Sequence, residues 1–155
     1  MGYSLQAFIC KASDAICLTN KFDSAAATDL GQELSLIPMT EDLFDQINNF
    51  QNSPPIDGFI YLTENVEKEI LLAIGNKLFT YIEADYYGGH GGQIAMIWQN
   101  KKRQNTPTSS QESINQALRY FGVKADAGKD EFLTIGLEQR RHTNDWIDDD
   151  PEEFR

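Results

Sequence analysis

The sequence predicts a single α+β domain, a mainly antiparallel sheet with three to four helices packed largely on one face. Three observations lead there. A chain of 155 residues with a hydrophobic fraction of 41% has the size of one domain and enough apolar mass to bury a core. Residues 77–102 hold two β-prone runs joined by a glycine-rich loop, the pattern of an antiparallel pair. Residues 40–50, 64–74 and 114–121 carry apolar side chains at helical spacing, each with a recognisable start or stop.

Taken in order, residues 3–10 (Y-S-L-Q-A-F-I-C) read as a strand. Residues 11–14 look like a turn, and residues 15–22 resume a β-like pattern, so an N-terminal hairpin is expected. Residues 23–34 include Ala25, Ala26 and Ala27 and suggest a short helix, capped by Asp23 or Ser24 and interrupted at Gly31. A short apolar run with Pro38 follows. Thr40 is then a natural N-cap, because its hydroxyl can accept a free N–H of the first helical turn. Glu41 and Asp42 suit the positive end of the helix dipole, and Leu43, Phe44, Ile47 and Phe50 mark the buried face. N-S-P-P at 52–55 stops the helix, since proline cannot continue it.

Residues 58–62 (G-F-I-Y-L) read as a strand. Thr63 caps a second helix over 64–74, with Val66, Ile70, Leu71 and Ile74 on one face and Gly75-Asn76 as its stop; a strand at 70–74 is the competing reading. In 78–87 the alternation is strict. One face carries Leu78, Thr80, Ile82, Ala84 and Tyr86; the other carries Phe79, Tyr81, Glu83, Asp85 and Tyr87. Residues 94–98 are nearly all apolar, as in a strand buried on both faces. Capping boxes at Thr108–Gln111 or Ser109–Glu112 precede a helix with Ile114, Ala117, Leu118 and Phe121, which Gly122 stops. The order of apolar residues in 131–137 leaves helix and strand both open. From Gln139 onward a surface segment is expected, anchored by Trp146 and Ile147, with residues 148–155 as an acidic tail beyond a domain over 1–147.

Charge narrows the function classes. Asp and Glu number 24 against 13 Lys and Arg, a net charge of −11. Nucleic acid would be repelled, whereas a basic protein partner would be drawn in. No apolar run approaches the roughly 18 residues of a membrane helix. The first ten residues lack the basic and long apolar regions of a secretory signal, so a cytoplasmic location is expected, with no membrane partner. Cys10 and Cys17 are separated by six residues, which matches neither a C-x-x-C redox motif nor a zinc spacing; buried reduced thiols are expected.

Catalytic signals are weak. G-G-H-G-G-Q at 88–93 lacks the Lys-Ser/Thr and the following helix that phosphate-cradling loops need, so the glycines read as a hairpin turn, with a bulge. No cofactor or metal is expected: His90 and His142 are the only histidines and lie far apart in the chain. Glu83 and Asp85 share one strand face with Tyr81 and Tyr87, which suits a protein-binding patch, since tyrosines are common interface anchors. The alternative is a small enzyme or ligand-binding domain using His90, Glu83 and Asp85 around the glycine loop.

I-E-A-D-Y-Y-G-G-H-G-G-Q-I-A-M-I-W (82–98) resembles a block in a group of small, mostly uncharacterised acidic bacterial proteins, in which an acidic-aromatic strand leads into G-G-x-G-x-Q and ends at Trp. I-N-Q-A-L-R-Y-F-G-V (114–123) and D-E-F-L-T-I-G-L-E-Q-R-R-H-T-N-D-W (130–146) are similar to further blocks of that group, so the resemblance covers roughly the C-terminal half. It brings no catalytic residue. Some small acidic proteins of this kind are immunity proteins, which neutralise a toxin. By that analogy the expectation is a cytoplasmic inhibitor that occludes a basic toxin domain, such as a nuclease. Tyr81, Glu83, Asp85, Tyr87, Asp148, Asp149 and Asp150 are then the candidate contacts, the acids standing in for substrate phosphates.

Overall fold

A computed structural model of the chain describes residues 2–147; Asp148, Asp149 and Asp150, with the rest of the acidic tail, lie outside the described residues. The architecture is α+β, built on a six-stranded sheet in which every neighbouring pair is antiparallel. The strands are β1 (Gly2–Lys11), β2 (Thr28–Asp29), β3 (Leu34–Pro38), β4 (Phe79–Tyr87), β5 (His90–Gln99) and β6 (Lys102–Arg103). Their spatial order is β2-β3-β1-β4-β5-β6. The long strands β1, β4 and β5 form the centre. Among the described residues no helix is long and apolar enough to cross a membrane.

Helices cover both faces of this sheet, not largely one. On the first face, α1 (Ile16–Thr19), α2 (Glu41–Asn48) and α3 (Glu64–Ile74) send Leu18, Leu43, Ile47, Val66, Ile70 and Ile74 onto Phe8, Phe79, Tyr81, Met96 and Trp98. On the second, α4 (Ser113–Tyr120), α5 (Glu131–Thr134) and the segment reaching Trp146 cover Leu5, Ala7, Ile9, Ile82, Ala84, Ala95 and Ile97. Two cores of this kind explain why β5 is buried from Ile94 through Trp98.

Local chemistry accounts for most elements. Thr40 Oγ1 accepts the N–H of Leu43 at 3.0 Å, and Thr63 Oγ1 that of Val66 at 3.1 Å, so both expected N-caps start α2 and α3. The competing strand at 70–74 is absent, because those residues complete α3. The glycine loop is a two-residue hairpin turn. Gly88 and Gly89 have φ of 60° and 81°, and pairing runs unbroken from Phe79↔Trp98 to Tyr87↔His90, so the expected bulge is not formed. Gly91 (φ 141°) packs so closely on the Asp85 carbonyl that no Cβ fits between them.

Several expectations fail for long-range reasons. Residues 15–22 form no second strand; Ile16–Thr19 is a helical turn, and β1 pairs with β3 and β4 instead. No helix forms over 23–34, whose end belongs to β2 and the turn into β3. Residues 58–62 are a loop held from outside rather than a strand. Neither capping box forms before α4; the Gln93 side chain on β5 accepts the Ile114 N–H at 2.8 Å. Past its short pairing with β6, the outer edge of β5 is closed at Ala95 and Ile97 by Asn105, whose side-chain oxygen accepts the Ile97 N–H and whose NH₂ donates to the Ala95 carbonyl.

Candidate functional site

The face of β4 singled out by the sequence divides into a buried half and an open half. Phe79 and Tyr81 lie under the helices of the first face and Glu83 under the 58–62 loop, while Asp85 and Tyr87 emerge beyond them. Register explains the change. Tyr81 sits between Phe8 and Met96, and Glu83 between Gln6 and Ile94. Asp85 is flanked by Ser4 and Gly92, and Tyr87 by Gly2 and His90, small or polar residues that offer a covering helix nothing to pack on. Asp85 is exposed, and Tyr87 is 78% exposed.

Tyr81 and Glu83 are therefore corrected as surface contacts. Tyr81 is fully buried and Glu83 is 7% exposed. The Glu83 carboxylate accepts the backbone N–H of Ile60 at 2.7 Å and of Tyr61 at 2.8 Å, and the Tyr81 hydroxyl at 2.9 Å. It substitutes for strand pairing in residues 58–62 and fixes the loop against the sheet. Burial, then the Glu83 charge and its hydrogen bond, hold the Tyr81 phenol well above the usual tyrosine range. What reaches solvent is the loop that Glu83 positions: Ile60 is 62% exposed and Tyr61 41%.

Two concavities meet at this end of the sheet. β3 ends at Pro38, and its place beside the start of β1 is taken by residues 141–143: the Ser4 N–H donates to the Arg141 carbonyl at 2.7 Å, and the Gln6 N–H to Thr143 Oγ1 at 3.0 Å. Between this segment, α2 and Tyr61 lies a cleft of about 440 Å³, lined by Ser4, Gln6, Met39, Thr40, Glu41, Phe44, Asp45, Tyr61 and residues 142–144. A shallower hollow of about 280 Å³ lies across Glu83, Asp85, Ile60, Gly92 and Gln93, and Gln6 lines both. Together the two linings hold Glu41, Asp45, Glu83 and Asp85, and no Lys or Arg. Some carboxylates outside these linings are paired: Glu67 with Arg103, Glu131 and Glu112 with Arg119, Asp14 with Lys77. None of the ion pairs among the described residues involves Glu41, Asp45 or Asp85.

No family model, curated protein or solved structure matches the chain. The geometry of this end of the sheet is therefore what speaks to function. His90 is exposed on the hairpin and lines neither concavity, and both Glu83 oxygens are occupied, so His90 and Glu83 do not share a site. Among the described residues no group of three or more His, Cys, Asp or Glu is placed to hold a metal.

Of the candidate contacts, Asp85 and Tyr87 stand at the open end, and Asp148 to Asp150 lie outside the described residues. Sequence reasoning missed Glu41, Asp45, Tyr61 and His142. Glu41 and Asp45 did leave a signal: like charges four apart on an amphipathic helix project from one side and repel.

Proposed function

We propose that this chain is an inhibitor protein of the immunity type, which docks a basic toxin domain against the open end of its sheet. The observation that carries the reading is the unneutralised acidic groove: Glu41, Asp45 and Asp85 line adjoining concavities without a Lys or Arg, beside the exposed Ile60, Tyr61 and Tyr87. Acids of one sign in a concave wall focus potential and steer a cationic partner, and the aromatic residues supply the desolvated anchors of an interface. Inhibition is by occlusion. The groove covers the basic surface on which the partner would bind its own anionic substrate, and the carboxylates take the place of that substrate's phosphates. No proton transfer or bond cleavage is asked of this chain.

The test is co-expression of the chain with the product of the neighbouring gene in a susceptible host. Wild type is expected to restore growth, and a variant carrying Glu41→Gln, Asp45→Asn, Asp85→Asn and Tyr61→Ala is expected not to. Equal protection by the two proteins, or a neighbouring product that is neither basic nor toxic, contradicts the proposal.

A further inference from the structure

Resting on that reading, we propose that the cleft between α2, Tyr61 and residues 142–144 seats the guanidinium of one arginine side chain from the partner. The cleft, at about 440 Å³, has room for a long side chain together with its water. Its sign is set by Glu41 and Asp45. They stand four apart on α2, line the same cleft, and take part in no ion pair among the described residues. Like charges at that spacing work against the helix that carries them, and a cation between them removes the conflict.

The aromatic wall favours arginine over lysine. Phe44 and Tyr61 pack edge to face, with ring centroids 5.7 Å apart, and both line the cleft. A guanidinium is planar and weakly hydrated, so it lies against an aromatic ring while donating to carboxylates; an ammonium keeps its water and has no flat face. The Tyr61 backbone is anchored by its N–H bond to the buried Glu83, and its ring packs on Phe44. Anchoring the backbone before the partner arrives lowers the ordering cost of binding. His142, also in the lining, faces Asp145 at 3.4 Å.

The experiment titrates the full chain with N-acetyl-arginine methylamide, followed by amide NMR. The lysine analogue and the citrulline analogue, a neutral copy of arginine's shape, run in parallel. Arginine is expected to give saturable shifts confined to residues 40–45, 60–61 and 142–144, with lysine at least fivefold weaker and citrulline giving none. Glu41→Gln/Asp45→Asn is expected to weaken arginine binding at least tenfold while its remaining spectrum matches wild type. Citrulline or lysine binding as well as arginine overturns the proposal, as do shifts spread over the acidic surface that the double variant leaves unchanged. The two readings fail separately. A toxin partner held equally by wild type and the double variant overturns the arginine seat alone. A confined arginine site in a chain that protects against no toxin overturns the inhibitor reading alone.

Discussion

Replacing Glu83 by Gln changes one oxygen to an NH₂ and leaves the shape intact, so it isolates the hydrogen-bonding role of a buried carboxylate. In the native protein both oxygens are acceptors: one takes the Ile60 N–H, the other takes the Tyr61 N–H and the Tyr81 hydroxyl. An amide has a single accepting oxygen. Whichever way it is turned, one backbone N–H of the 60–61 loop meets another donor. Leaving one such donor unmet costs about 1–3 kcal/mol, and water reaching the exposed loop keeps the cost near about 2 kcal/mol. In a domain of this size, about 2 kcal/mol lowers Tm by about 4–8 °C. Glu83→Ala removes all three bonds and is expected to cost about twice as much. Asp85→Asn, two residues along the same strand face but exposed, is the control and stays within about 0.5 kcal/mol. Thermal denaturation followed by circular dichroism gives the ranking, and amide hydrogen exchange at Ile60 and Tyr61 gives the location. If Glu83→Gln melts with Asp85→Asn and the two amides keep their protection, Glu83 does not hold this loop.

Three further outcomes follow from other parts of the fold. Gly91→Ala forces a methyl group into the Asp85 carbonyl at a φ of 141°, so the hairpin must shift; loss of the Tyr86 and Asp85 cross-strand contacts in NMR spectra is expected, whereas Gly88→Ala, which meets no atom, keeps them. Burial pushes the Glu67 carboxyl up, but the hydrogen bonds from Arg103 and Trp98 outweigh it and hold the pKa below the ordinary value. Its stabilisation is therefore present above the unfolded pKa and is lost as pH falls through the folded one, so the Tm gap between wild type and Glu67→Gln narrows on acidification from neutral pH toward pH 3; a constant gap contradicts this. Burial, with the Asp14 charge behind it, pushes the Cys10 thiol up to about 12, while Cys17 is only half-buried. Burial and the Asp14 charge raise the Cys17 thiol as well, so a thiol reagent at pH 8 is expected to modify Cys17 slowly and Cys10 only on unfolding, and equal rates would refute the placement.

Legibility in the sequence followed the range of the interactions. The caps Thr40 and Thr63 act over three residues, so hydroxyl placement before an amphipathic run disclosed α2 and α3. The hairpin was legible because Gly88-Gly89 and the alternation on either side are contiguous. The apolar run 94–98 carried the sign of a sheet covered on both faces. What stayed hidden depends on distant partners. Glu83 has the composition of a surface acid, and only the Ile60 and Tyr61 amides, more than twenty residues away, make it a core anchor. Residues 15–22 alternate like a strand, yet β3 and β4 already occupy both edges of β1. The cleft needs the 141–143 segment beside Ser4 and Gln6, a pairing across more than 130 residues that no local pattern announces.

The central claim is that the open end of the sheet, with Glu41, Asp45, Tyr61, Asp85 and Tyr87, is the docking surface for a basic partner. Hydrogen-exchange mass spectrometry on the complex with the captured toxin domain tests it most directly. Slowed exchange confined to residues 40–45, 57–61, 85–87 and 142–144 is the predicted result. Slowed exchange over α4 and α5, with those four segments unchanged, would contradict it.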